Sequence, residues 1–228
     1  MTLKGSPSTS VDVVDVVQTI RKRTRSDISH KARGITVRPP KWYKSNAGDK
    51  ERVKLAVDEF HRLQAQYLDL FRAACDSGEW NRIHDRHFDW WQFPIDDGSR
   101  EEFNVRSESE VDLLRSHPDW LTGYRESVKL VAKAWGWDIE EGVVMKDAGF
   151  WDKKDVRLAK MIRSLWLFEQ ADYFQSLQRF AQYVNENQNK NRGLFYGRIC
   201  LDEVLYMELP RRYFEFVKCP SPTCILGF

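Results

Sequence analysis

The stretch DKERVKLAVDEFHRLQAQYLDLFRAACDSG, residues 49–78, decides the fold. Its apolar side chains recur every three or four residues, at Val53, Val57, Phe60, Leu63, Tyr67, Leu70, Phe71 and Ala74. This spacing places them on one face of an α-helix, and Gly78 is a typical helix stop. The pattern therefore predicts a long amphipathic helix that buries its apolar face.

Further helical patterns follow along the chain. Ser107 and Glu110 form a predicted capping box, because the serine oxygen and the glutamate carboxylate can each accept a first-turn N–H. Pro118 is well suited to the first turn of the next helix. Residues 153–186 carry another strong helical pattern, which predicts one long helix. The expected fold class is all-α: an irregular bundle of about six helices, with 50–77 and 154–186 as its long members.

Composition limits the kinds of function. The 228 residues suit one globular domain with extra segments, and a net charge of +2 implies no overall attraction to nucleic acid or anionic membranes. The four cysteines form no Cys-x-x-Cys pair, so neither zinc nor another cofactor is expected. No stretch resembles a signal peptide or a transmembrane segment. The expected location is therefore intracellular, either cytoplasmic or nuclear.

Three regions are predicted. Residues 1–46 form a basic arm, residues 47–187 the helical domain, and residues 188–228 an extension that packs on the domain or trails from it. Between residues 21 and 44 the arm carries nine Lys or Arg and one Asp, so it could contact nucleic acid or another acidic surface. A solvated arm explains the same composition and is the favoured interpretation. Oligomeric state is left open.

The segment HDRHFDWWQFP, residues 84–94, concentrates histidines and aromatic residues in what the pattern predicts to be a helix. His84 and His87 would share one face, but two histidines alone do not complete a metal site. The Arg82 to His87 spacing also occurs in the helical nucleases of the HEPN group. A ribonuclease or metal-dependent enzyme centred on Arg82, His84 and His87 is therefore an alternative, and it requires these side chains to converge on an open cleft.

Polar residues outside this segment have simpler explanations. The acids Asp96 and Asp97 lie in a polar loop and are expected to be solvated. In KKDVRLAKMIRSL, residues 153–165, the cations Arg157, Lys160 and Arg163 share one helix face and form a basic stripe. The stripe could hold an acidic peptide or a carboxylate. If its charges are all paired within the chain, the ligand surface must lie elsewhere.

Three boxes in a fixed order resemble the conserved domain of opioid growth factor receptors. The first is DWWQFP, residues 89–94, with His84 and His87 upstream. The second is a loop containing Phe103 and Asn104, followed by an acidic helix and Ser-His-Pro. The third is VRLAKMIRSL, residues 156–165. Together they span about residues 60–185, which is most of the helical region.

The resemblance implies an all-helical domain in a family whose animal members are associated with the nucleus and bind an enkephalin peptide. It implies neither an opioid ligand for this chain nor any catalytic residue. The expected function is a non-enzymatic peptide- or protein-binding module. Its expected ligand-contacting residues are His84, His87, Trp90, Arg157, Lys160 and Arg163.

Overall fold

A computed structural model describes residues 40, 49–85 and 87–209, with only the backbone of 49–56. These residues contain six α-helices: α1 (Asp49–Asp76), α2 (Glu108–Ser116), α3 (Pro118–Ala134), α4 (Asp155–Leu167), α5 (Ala171–Asn187) and α6 (Glu203–Tyr206). The predicted all-α bundle of about six helices is thereby confirmed. The predicted arm, residues 1–46, lies outside the described residues.

Short extended pieces connect some of the helices. Strands β1 (Trp137–Asp138) and β2 (Val143–Val144) form an antiparallel hairpin between α3 and α4. Strands β3 (Phe195–Tyr196) and β4 (Ile199–Cys200) form a second one between α5 and α6. No described helix is both long and apolar enough to cross a membrane.

Helix α1 forms where its periodicity predicts, and it packs against α3. Its side chains Phe60, Tyr67 and Phe71 are buried, which removes their apolar area from water. Just after the helix, Gly78 has φ +69°, a conformation that glycine adopts without steric cost. The apolar stripe and the glycine stop are the features that set this helix.

The two helix starts predicted by residue type are also found. The Ser107 hydroxyl accepts the Glu110 N–H at 3.3 Å, so Ser107 caps α2. The Glu110 carboxylate accepts the N–H of Arg106 at 2.5 Å, one residue before the cap, rather than that of Ser107 as in a standard capping box. Pro118 occupies the first turn of α3.

The prediction of one helix over residues 154–186 is wrong, because a tight turn at residues 168–170 separates α4 from α5. Glu169 adopts a left-handed φ of +56°, and the buried Phe168 ring packs 4.9 Å from Trp120 and 5.4 Å from Tyr124. The turn allows α4 and α5 to pack against each other, which one straight helix cannot do. The apolar period runs through both helices and gives no sign of the break.

The prediction of a helix that runs through Trp80, Ile83 and Trp91 and ends at Pro94 is also wrong. The chain forms two short 3₁₀ helices, Trp80–His84 and Phe88–Trp90, followed by irregular structure. Phe88 and Phe93 are fully buried, and their rings meet edge to face 5.9 Å apart. Because aromatic side chains are large, a few of them anchor this segment without a regular helix.

A close backbone contact holds the connection between α3 and α4. A Cβ atom at Gly149 would lie 2.0 Å from the carbonyl oxygen of Ala134. Gly149→Ala is therefore expected to lower the free energy of unfolding by at least about 2 kcal/mol, because backbone must move to relieve the overlap. Urea unfolding measures this loss. The control Gly78→Ala, where nothing lies within 4 Å, should cost about 1 kcal/mol from its left-handed φ alone. Equal losses in the two variants would contradict the close contact.

Residues 194–209 pack on the helical domain. The Trp166 indole donates to the carbonyl oxygen of Glu208 at 2.7 Å, and the Gln178 amide donates to that of Met207 at 2.8 Å. These bonds attach the chain around α6 to α4 and α5. Residues 210–228 of the predicted extension lie outside the described residues.

Candidate functional site

A cavity of about 750 Å³ lies between α4, the segment 84–99 and the chain from β3 to α6. All six residues that the sequence analysis proposed as ligand contacts line it: His84, His87, Trp90, Arg157, Lys160 and Arg163. The sequence therefore identified side chains that the fold brings together from regions about seventy residues apart. Their role in binding stays a prediction.

The floor of the cavity, here Asp89, Arg157, Lys160 and Arg163, belongs to a set of ion pairs between α4 and the 89–96 segment. Lys160 Nζ donates to Asp89 Oδ2 at 2.6 Å, and Arg157 Nε lies 3.6 Å from Asp89 Oδ1. Asp89 is buried, so these charges attract each other in a medium less polar than water. They attach the 3₁₀ segment firmly to α4.

The deepest of these pairs joins Arg163 to Asp96. Arg163 Nε and Nη2 donate to the two carboxylate oxygens at 3.0 and 2.9 Å, and the side chains are 5% and 0% exposed. The prediction that Asp96 is solvated is therefore wrong. A buried carboxylate needs such a partner, because an isolated charge is costly to remove from water.

The basic stripe is thus occupied within the chain. Arg157, Lys160 and Arg163 each lie against a carboxylate, and all three are largely shielded from solvent. By the criterion stated above, the first contacts of a ligand must come from other groups. The three cations instead form the rigid floor of the cavity.

His84 is held between two hydrogen-bond donors. Trp135 Nε1 donates to His84 Nε2 at 3.1 Å, while Arg157 Nη1 lies 2.7 Å from His84 Nδ1. Burial, together with the charge of Arg157, lowers the pKa of His84 to about 3. Arginine and the indole have no acceptor to offer, so a protonated imidazole would present an N–H to each of them. The geometry therefore keeps His84 neutral.

His87 and Trp90 lie at the rim. Their rings stack with centroids 4.6 Å apart and nearly parallel planes, and Arg100 lies 4.9 Å from the Trp90 ring centroid. The His87 side chain is exposed and makes no hydrogen bond among the described residues, whereas the His87 carbonyl oxygen accepts the Trp90 N–H at 3.3 Å. The pair forms a stiff aromatic edge next to the charged floor.

Two further parts of the wall were missed by the sequence analysis. Lys153 and Lys154 lie at the rim where α4 begins, and Tyr196 and Ile199 of the β3–β4 hairpin form an apolar wall. Ile199 is 60% exposed and Tyr196 58%, so the two side chains together present exposed apolar area beside the cavity. The KKD sequence before α4 gave a signal for the lysines. The hairpin gave none, because two-residue strands are too short for a periodic pattern.

The enzyme alternative requires the side chains of Arg82, His84 and His87 to line one open cleft. Arg82 lies outside the cavity, in a separate pocket of about 170 Å³, and forms an ion pair of 2.6 Å with Glu79. His84 and His87 line the large cavity, so the three side chains do not converge on one cleft. Among the described residues, no group of three or more His, Cys, Asp or Glu side chains is placed to hold a metal ion.

Comparison with known proteins leaves the family open. No protein-family model, curated protein or solved structure matches the chain. The resemblance to the opioid growth factor receptor domain therefore stays a prediction.

Proposed function

We propose that the helical domain is a non-enzymatic binding module that holds a peptide segment, free or part of a protein, in the cavity beside α4. The observation that carries the proposal is the composition of the cavity wall. A rigid, charge-paired floor faces an exposed apolar hairpin, and the two enclose about 750 Å³. This volume accommodates a few side chains of a peptide.

A binding role suits the chemistry of the cavity better than catalysis. The pKa of His84, lowered to about 3, leaves this side chain a neutral imidazole near neutral pH, and a neutral imidazole is a poor proton donor. Both of its ring nitrogens are also in contact with donors, so neither is placed to accept a proton from a substrate. The resemblance to a peptide-binding family agrees with the same interpretation.

The hairpin supplies the apolar contact in this proposal. Peptide ligands commonly bury a few anchoring side chains against such surfaces. Tyr196 and Ile199 are exposed at the cavity mouth, and burying them against a ligand removes apolar area from water. The hairpin is thus the part of the wall where substitution should affect binding most directly.

Ile199→Asp tests this contact. A peptide selected from a random phage-displayed library on the full chain should bind the variant at least about tenfold more weakly, as measured by fluorescence anisotropy. The expected cause is the lost burial of the isoleucine side chain. Urea unfolding should show little change, because residue 199 is already exposed.

Val144→Asp is the matched control. Val144 is 48% exposed and lies in the other short hairpin, away from the cavity. Its substitution should leave the affinity unchanged. Equal affinities of the two variants, or a library that yields no peptide binding to the full chain, would refute the proposed function.

A further inference from the structure

We infer that the ligand is an acidic peptide whose oxyanion, a carboxylate or a phosphate, binds at Lys153 and Lys154 while a neighbouring apolar side chain packs on the β3–β4 hairpin. The inference rests on the peptide-binding function proposed above and defines the charge of the ligand. Lys153 and Lys154 do not belong to the basic stripe, and the resemblance to the opioid growth factor receptor domain assigns them no role.

The carboxylates of the cavity wall interact with other groups of the chain, whereas the lysines at its rim have few such contacts. Its carboxylates are engaged with cations of the floor: Asp89 with Lys160 at 2.6 Å, and Glu203 with Arg163 at 3.8 Å. Asp97, the remaining carboxylate of the wall, also interacts within the chain. Because these acids are occupied, they do little to neutralise the lysines at the rim.

The rim lysines have little to bind within the chain. Lys153 makes no ion pair with any described residue. Lys154 lies 3.4 Å from Asp152, in an exposed pair that contributes little free energy. Two ammonium groups at the mouth of a cavity attract an oxyanion, and among the described residues only the exposed Lys154–Asp152 pair competes with it.

The start of α4 lies beside the two lysines. The helix has 13 residues, and no side chain caps its amino-terminal end at Lys154. The acid Asp155 lies in the same first turn and offsets the partial positive charge of that end, and the Arg157 N–H already donates to the Lys154 carbonyl oxygen at 2.8 Å. The ammonium groups of Lys153 and Lys154 are therefore the main attraction for an oxyanion here.

The charged and apolar parts of the site adjoin each other. Asp155, the residue after Lys154, accepts the backbone N–H of Phe195 at 3.0 Å and so ties the hairpin to the start of α4. An acidic residue and an apolar residue close together in a peptide can therefore reach the lysines and Ile199 at once. Because the charged and apolar parts adjoin each other, a peptide can contact both, whereas a free inorganic anion can contact only the lysines.

The test uses a random peptide library displayed on phage and selected on the full chain. Acidic residues next to apolar ones should be enriched among the selected peptides. Charge reversal at Lys153→Glu together with Lys154→Glu should weaken the selected peptide by at least about tenfold. Lys146→Glu together with Lys190→Glu, two exposed lysines away from the cavity, changes net charge equally and should leave the affinity unchanged.

Cys200 reports where the peptide binds. It is exposed and lines the cavity, whereas burial raises the pKa of Cys75 to about 11 and keeps that thiol unreactive. In a chain carrying Cys219→Ser and Cys224→Ser, the selected peptide should protect Cys200 from a maleimide. Exchanging the enriched acid for glutamine should remove the protection, and exchanging it for phosphoserine distinguishes a phosphate from a carboxylate ligand.

The outcomes separate this inference from the proposed function. Peptides that protect Cys200 without acidic enrichment, or that bind the charge-reversed variant equally well, would overturn the inference and leave the function standing. Selection of no peptide that protects Cys200 would overturn both. Protection of Cys200 by an RNA oligonucleotide, but by no peptide, would also overturn both the inference and the proposed function.

Discussion

Asp96→Ala is expected to lower the free energy of unfolding by about 3 kcal/mol, the low end of the cost of breaking a buried ion pair, because Glu203 stays 3.8 Å from Arg163. The carboxylate is fully buried and accepts two hydrogen bonds from Arg163. Removing it leaves a guanidinium that is 5% exposed and cannot lose its proton. Urea unfolding followed by circular dichroism measures the loss.

A surface pair of the same geometry is the control. Arg72 Nε and Nη2 donate to the two carboxylate oxygens of Glu126 at 2.7 and 2.6 Å. These side chains are 47% and 33% exposed, so water screens the pair. Glu126→Ala should cost less than about 1 kcal/mol. Because the two pairs differ in burial and not in hydrogen-bond pattern, the difference in loss isolates the effect of burial.

A double variant separates two causes of the lost stability: the loss of the charge partner of Arg163 and the loss of side-chain packing at residue 96. Asp96→Leu with Arg163→Met replaces both charges by apolar groups, and it should recover most of the stability lost in Asp96→Ala. A loss below about 1 kcal/mol in Asp96→Ala would contradict the buried pair. So would a double variant no more stable than the single one.

Asp96 also illustrates why sequence alone could not define the whole site. The residues that follow it, 97–102, form a polar stretch, so local composition predicted a solvated acid. Its partner lies 67 residues away on α4, and nothing in a single sequence reveals a pairing over that distance. The basic stripe was visible because Arg157, Lys160 and Arg163 recur at helical spacing, but their carboxylate partners were not.

The fold, like the site, was predictable where local residue types decide the structure and not where distant contacts do. Helices with a clear start and stop, such as α1 with Gly78 and α3 with Pro118, could be predicted from local residue types. The turn between α4 and α5 could not, because Glu169 adopts its left-handed conformation without a glycine, and the reason lies in packing by Phe168. Local chemistry thus predicts elements, whereas tertiary packing decides where they break.

The paired floor explains how exposed groups can form an ordered rim. Salt bridges from α4 fix the 84–96 segment, and Asp155 fixes the β3–β4 hairpin. Lys153, Lys154 and Ile199 are therefore carried on supported backbone while their side chains stay accessible. Groups that are held in place by the fold lose less entropy when a ligand binds.

His84 should make the stability of the domain depend on pH. Its folded-state pKa of about 3 is well below the ordinary histidine value near 6.5, so the unfolded chain binds a proton more readily. The stabilisation is complete above pH 6.5 and falls as pH decreases toward 3. The loss reaches about 2 kcal/mol at pH 5 and up to about 5 kcal/mol over the whole range.

The comparison of the full chain with its His84→Gln variant isolates this effect. Glutamine keeps an acceptor for one of the two donors, Arg157 and Trp135, but does not titrate. The free energy of unfolding should therefore fall more steeply between pH 7.5 and pH 5 in the unsubstituted chain than in the variant. Carboxylates and the other histidines are shared by both chains and cancel in the difference. A histidine titration by NMR that places His84 near 6.5, or parallel pH profiles of the two chains, would show that the donors do not hold it neutral. A titration below pH 5 would instead establish His84 as an uncharged part of the cavity wall at neutral pH.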